Sequence, residues 1–178
     1  MQKPTFSLNK KIDEILRVNH SGEYGAKMIY LGQLSNLKDK KDYAVINHMY
    51  EQELVHLKYF EEEIIKRGKR PSIFMPLWHV GAYFLGKISA KLGVKHAMIC
   101  TDAVEEVINE HYEKQKEFLV KHPTEKPLLD AINQFQIDEQ SHQEIAQNHI
   151  NRFSFADRIF YKIVSAICRI AIFSSKKL

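Results

Sequence analysis

Apolar positions recur in steps of three and four along most of the chain, the rhythm of helices that bury one face. From Asn9 a seam runs through Ile12, Leu16, Asn19, Glu23, Ala26, Tyr30, Gln33 and Leu37. A short charged turn at 38–42 follows. The next seam is Ile46, Met49, Glu53, His56, Phe60 and Ile64, with Glu61, Glu62 and Glu63 read as solvated surface. Gly68 to Pro71 stop that helix. A third seam takes Met98, Thr101, Glu105, Ile108, Tyr112, Gln115 and Leu119. After a turn at 122–124, a fourth takes Leu128, Ile132, Phe135, Glu139, His142, Ala146 and His149. The expected core helices therefore span about 9–37, 42–67, 96–121 and 125–151, an all-α four-helix bundle in a single domain covering 1–178.

Two stretches depart from this pattern. Residues 73–94 are the most aromatic and apolar of the chain, interrupted by Pro76, Gly81 and Gly86, and carry Lys87 and Lys91. They read either as a long apolar crossover packed on the bundle or as a helix dipping into a membrane interface. Residues 153–175 set Ile159, Ile163, Ala166, Ile170 and Phe173 against Arg158, Lys162, Ser165 and Arg169. This amphipathic helix suits a membrane surface, and also packing on the bundle or in a dimer interface. Neither stretch has the uninterrupted apolar length of a membrane span.

Composition adds little that conflicts. Seven Gly and five Pro in 178 residues suit a helical protein, and a formal charge of +4 is too mild to suggest nucleic acid. No Lys/Arg run is interleaved with aromatics as a strand-binding groove requires. Cys100 and Cys168 lie far apart in apolar contexts and are expected to be inert buried thiols, which fits a reducing compartment. Met1 to Ser7 show neither an apolar signal core nor an Arg-rich transit helix.

The candidate chemistry lies on the seams themselves. Glu53-Leu54-Val55-His56 and Glu139-Gln140-Ser141-His142 are the only Glu-x-x-His phrases, and this spacing puts carboxylate and imidazole on one helix face. Lys38, in the first turn, is midway between Glu23 and Glu53. His122, in the second turn, is midway between Glu105 and Glu139. In an antiparallel hairpin, residues equidistant from the turn stand level. Each hairpin thus sets one Glu beside one Glu-x-x-His. Gly22 and Gly25 flank Glu23 and leave room for a backbone or ligand. Acids crowded into an apolar core repel one another unless cations compensate them, and the seams hold no Lys or Arg. Four Glu and two His are the ligand set of a di-iron or di-manganese bundle. His111 and Tyr112 either line a pocket beside the metals or simply pack. His149 is a candidate for the ring around the ligands. His20, His48, His79, His96 and His122 are expected at the surface or at helix ends.

Several phrases carry a family resemblance. They are Arg17-Val18-Asn19-His20-Ser21-Gly22-Glu23-Tyr24-Gly25-Ala26, the helix-two run Glu53 to Phe60, Met75-Pro76-Leu77-Trp78, Cys100 to Glu106, His111-Tyr112 and Cys168 to Ile172. From about Asn9 onward the chain resembles the demethoxyubiquinone hydroxylases of ubiquinone biosynthesis. It departs from many members at Asn19, where they carry Asp. The resemblance implies a ferritin-like, membrane-associated di-iron monooxygenase. Its metal ligands, acting in catalysis through two Fe ions, would be Glu23, Glu53, His56, Glu105, Glu139 and His142, with Glu106 left off the seam. It implies O2 and a demethoxy polyprenyl quinol as substrates and an external reductant, NADH or the quinone itself; no Gly-x-Gly-x-x-Gly fingerprint is present. The expected site is the cytoplasmic face of a bacterial inner membrane or, alternatively, the matrix side of the mitochondrial one. A second copy or a ubiquinone-biosynthesis protein is the expected partner. Competing readings are a ferritin- or rubrerythrin-like protein handling iron or peroxide, and a non-enzymatic helical membrane adaptor.

Overall fold

The computed structural model describes residues 3–177, and side chains at 8–39 and 41–177. The expectation for Met1 to Ser7 falls in part outside the described residues. The protein is all-α. Its helices are α1 (Lys3–Leu34), α2 (Lys40–Lys66), α3 (Met75–Lys91), α4 (Val94–Leu119), α5 (Lys126–Asn148) and α6 (Phe155–Lys177), with a 3₁₀ turn at Pro123–Glu125 before α5. Two compact units divide the chain: Met1–Lys87 with Ile170–Leu178, and Ile88–Arg169.

In the first unit α1 and α2 form a hairpin. Asp39 caps α2, its carboxylate accepting the backbone N–H groups of Lys41 (2.8 Å) and Asp42 (3.2 Å), which starts the helix before residue 42. At the other end Gly68, at φ 63°, takes the left-handed position after the cap. The amides of Gly68 and Lys69 bond back to the carbonyls of Ile65 and Ile64, closing the helix. The two seams are buried as their spacing requires. Ile46, Met49, Glu53 and Phe60 have no exposed surface, and Leu16, Glu23 and Tyr30 at most 1 %. Leu37 falls beyond α1, which begins at Lys3 rather than Asn9 because nothing in 3–8 obstructs a helix. Glu63 is buried rather than solvated. Lys66 (2.9 Å) and Arg67 (2.8 Å) hold its carboxyl below the usual range against the opposing effect of its own burial.

α3 is one continuous helix. Pro76 stands in its first turn, where no backbone donor is needed, so it starts the helix rather than breaking it. Gly86 is where α3 meets α1, its Cα packed on the backbone of Ile29, while Gly32 of α1 packs on the backbone of Tyr83 and Lys87. At Gly22 and Gly25, by contrast, an added Cβ would meet nothing within 4 Å, so no neighbouring backbone uses that room. The opposite face of α3 is open: Leu77, Val80, Phe84 and Ile88 are all more than half exposed. No helix of the described residues is long and apolar enough to cross a membrane.

In the second unit α4 and α5 form the matching hairpin, with Met98, Glu105, Leu128, Ile132, Glu139, His142 and Ala146 fully buried. The first part of α6 packs through Asp157, Val164 and Ser165 and turns Ile159, Ile163 and Ile167 outward. Its apolar stripe therefore faces solvent rather than the core. Cys100 and Cys168 are free thiols; burial pushes Cys100 far up and Cys168 to about 12, keeping both protonated.

Asp157 fixes where α6 begins. It accepts from Lys95 Nζ (2.6 Å) and the Ser154 backbone N–H (2.8 Å), while Ser154 Oγ accepts the Asp157 N–H (3.1 Å). His96 Nε2 lies 3.3 Å away. The Lys95 bond, followed by those from Ser154, holds the carboxyl well below its ordinary 3.8. A depressed carboxylate contributes stability that is complete above its unfolded value and is lost as pH falls through the folded one. Asp157→Asn is therefore expected to lower the urea midpoint at pH 7, and the gap to the parent should close as pH drops below 3.8. Urea titrations at stepped pH check this; a gap constant with pH would mean that the ionised carboxylate contributes nothing.

Candidate metal centre

Each hairpin assembles three ligand-type side chains. In the first unit Glu23 comes from the middle of α1, and Glu53 and His56 come from successive turns of α2. One ligand atom from each lies within 4.8 Å of the others, and His56 Nδ1 is 3.6 Å from Glu23 Oε2. In the second unit Glu105 of α4 meets Glu139 and His142 of α5 under the same 4.8 Å limit, with His142 Nδ1 3.2 Å from Glu139 Oε2. All six residues are at most 1 % exposed. The level pairing follows from the turns. α1 ends at Leu34 and α2 starts at Lys40, which brackets Lys38; α4 ends at Leu119 and α5 starts at Lys126, which brackets His122.

The donor chemistry of each triad suits a metal. Two carboxylates and an imidazole are hard-to-borderline donors, the set that iron, manganese and zinc accept. Ionised carboxylates kept from water also need a positive charge nearby. Apolar side chains one turn along each seam close the surroundings: Met49 and Phe60 on α2, Phe135 and Ala146 on α5, all buried.

The remaining sequence candidates divide. Tyr112 is buried on α4 and His111 half-buried beside it, and His111 stands outside both triads. His149 caps α5 and donates to the Ile145 carbonyl (2.7 Å), so its ring serves the helix end. His122 does the same for the Phe118 carbonyl (2.9 Å) after α4, and His48 is exposed. His79 is exposed and shares a 2.7 Å hydrogen bond with the Tyr24 hydroxyl. His20 corrects the expectation of a surface residue. It is 4 % exposed, with Nε2 3.8 Å from Glu61, and burial lowers its affinity for a proton. It lies one turn before Glu23 on the same face, so the helical spacing that found the seam could have found it.

A polar clamp was also missed. Asp102 is buried and its Oδ1 accepts from the amides of Gln143 (3.1 Å) and Gln147 (2.9 Å). Asn109 donates in turn to Gln143 Oε1 (3.3 Å). These bonds join α4 to α5 beside the turns that carry Glu105 and His142. The signal was the equidistance rule itself, since Asp102 and Gln143 straddle His122 as Glu105 and Glu139 do.

Residues 10–175 match the family model described as ubiquinone biosynthesis protein COQ7. The human protein named NADPH-dependent 3-demethoxyubiquinone 3-hydroxylase, mitochondrial, is 41% identical over 169 residues, covering 94% of this chain and 78% of the relative. The 3-demethoxyubiquinol 3-hydroxylase of Rhodospirillum rubrum is 38% identical, covering 93% of this chain and 78% of the relative. The mitochondrial 5-demethoxyubiquinone hydroxylase of Saccharomyces cerevisiae is 34% identical, covering 94% and 78%. The match runs through both hairpins and both of their buried triads, and the chain belongs to the family of the ubiquinone biosynthesis protein COQ7.

Proposed function

We propose that the chain hydroxylates the ring of a demethoxy polyprenyl quinol with O2 at a di-iron centre that Glu23, Glu53, His56, Glu105, Glu139 and His142 would hold. The observation that carries this reading is the pair of buried Glu, Glu, His triads, one per hairpin, in a chain whose relatives are named hydroxylases of that substrate class. In this reading both hairpins belong to one ferritin-like four-helix domain, with α3 as the crossover.

Two ferrous ions, when bound, supply the redox chemistry that activates O2. The chain's own share is to position and to keep dry. Four carboxylates match the charge of two divalent ions, so the loaded site is close to neutral in its apolar shell. Met49, Phe60, Phe135 and Ala146 exclude water from it. One oxygen atom of O2 becomes the ring hydroxyl and the other leaves as water, which takes two electrons from an external reductant. Several relatives are named NADPH-dependent, which supports NADPH as that reductant, and NADH is chemically equivalent for the step.

A polyprenyl substrate resides in a bilayer, and the exposed apolar faces of α3 and α6 suit its surface. The proposed location is the cytoplasmic face of a bacterial inner membrane. The mitochondrial designation of the eukaryotic relatives supports the mitochondrial alternative. The deciding experiment loads the protein anaerobically with ferrous iron, adds demethoxyubiquinol, admits O2 and identifies the product by mass. Iron-dependent gain of one oxygen atom is expected. Equal product from metal-free protein would overturn the reading.

A further inference from the structure

A cleft of about 410 Å³ in the second unit is lined by Asp102 of α4, by Phe153, and by Arg158, Tyr161 and Lys162 of α6. Most of its wall is apolar, and the Phe153 and Tyr161 rings meet edge to face at 6.0 Å. Arg158 and Lys162 stand one helical turn apart on the same side of α6, both exposed. Among the described residues no ion pair joins either of them to an acid, although Lys95, Lys116, Lys126 and Arg169 of the same unit are each so paired. The acid in the cleft, Asp102, is buried and already accepts two glutamine amides. The cleft's rim is thus cationic and its wall greasy. Ile159 and Ile163, each one residue beyond a cation, begin the exposed stripe that continues to Ile167.

A phosphate between two cations, with hydrocarbon immediately beside it, is the surface of an anionic phospholipid. We propose that this cleft seats the phosphodiester of an anionic glycerophospholipid, with Arg158 and Lys162 as its ligands and Ile159, Ile163 and Ile167 against its acyl chains. The proposal deepens the membrane-surface reading and rests on it. It differs from general attraction of a basic helix to lipid because it names one saturable site. Inorganic phosphate offers at least as much negative charge without the hydrocarbon, and should still bind far more weakly.

The test titrates the full-length protein with dihexanoyl phosphatidylglycerol below its micelle concentration, following binding by calorimetry and amide shifts. One saturable site is expected, with shifts centred on Phe153 to Lys162. The double variant R158A/K162A should weaken it about 30-fold, as the loss of two membrane-facing cations implies. K114A/K121A removes the same charge from two exposed lysines elsewhere in the unit and should leave binding near the parent's. Equal weakening in both double variants would overturn the site, as would displacement by inorganic phosphate at matched concentration. Sedimentation with phosphatidylcholine/phosphatidylglycerol vesicles separates the two readings. Vesicle binding with no short-chain lipid binding removes the cleft and leaves the membrane reading intact, whereas failure in both assays removes both.

Discussion

Glu53→Ala is expected to abolish retained iron and to cut ring hydroxylation by more than about 100-fold, beyond what loss of a ligand's supporting partner costs. His142→Ala, in the other hairpin, should do the same. Both should keep the helical circular dichroism of the parent, because the seams around them are otherwise intact. The informative part is the metal-free protein. Glu53 is fully buried and within 4.8 Å of ligand atoms of Glu23 and His56. Without iron, burying such a carboxylate is a cost, and removing it should leave apoprotein stability unchanged or raised despite the cavity. With iron, the parent gains stability by binding and the variant does not. Thermal melts with and without ferrous iron under argon therefore read out the role of the residue directly. If metal-free Glu53→Ala melts far below metal-free parent, the carboxylate is a structural partner and the metal assignment fails.

What was readable beforehand was what periodicity encodes. All of Ile46, Met49, Glu53, His56, Phe60 and Ile64 are buried on one face of α2, and the level pairing of Glu23 with Glu53 came from counting back to the turn. Helix ends were less legible because they depend on local bonds. Asp39 starts α2 early, and α1 stops at Leu34, just before Ser35 returns its hydroxyl to the Gly32 carbonyl (2.7 Å). Where two backbones meet was illegible for a deeper reason. Gly22 and Gly25 drew attention because they flank a buried acid, yet the close approach is made by Gly32 and Gly86. Which glycine meets another helix is set by where two helices cross, and no single helix's pattern records that. Similarly, the outward-facing stripe of α6 was visible as amphipathic, but its direction was not. The face of Asp157, Val164 and Ser165 packs because Asp157 finds Lys95 and His96 across the unit, while Arg158 and Lys162 stay exposed along with the stripe.

The crossing at Gly86 yields a test in which one substitution type takes opposite signs on one helix. Inside a helix, Gly→Ala normally stabilises by about 0.5–1 kcal/mol, because alanine loses less backbone freedom on folding. Gly81→Ala should follow that rule, since its added Cβ meets nothing within 4 Å. At Gly86 the Cβ would collide with the carbonyl oxygen of Ile29 and lie 2.7 Å from its carbon and 2.9 Å from its Cα. Those are backbone atoms of α1, which cannot rotate aside as a flexible side chain would. Relief requires α3 to lift from α1, losing the reciprocal seat of Gly32 on Tyr83 and Lys87 as well. Gly86→Ala is therefore expected to destabilise by about 1–3 kcal/mol and Gly86→Val by at least the upper end of that range. Those values correspond to a fall in melting temperature of roughly 2–4 °C per kcal/mol for a chain of this size. Urea unfolding of the three variants checks the signs. Should Gly86→Ala stabilise as Gly81→Ala does, α3 does not rest on α1 through this glycine, and the face it turns to solvent is not fixed by that contact.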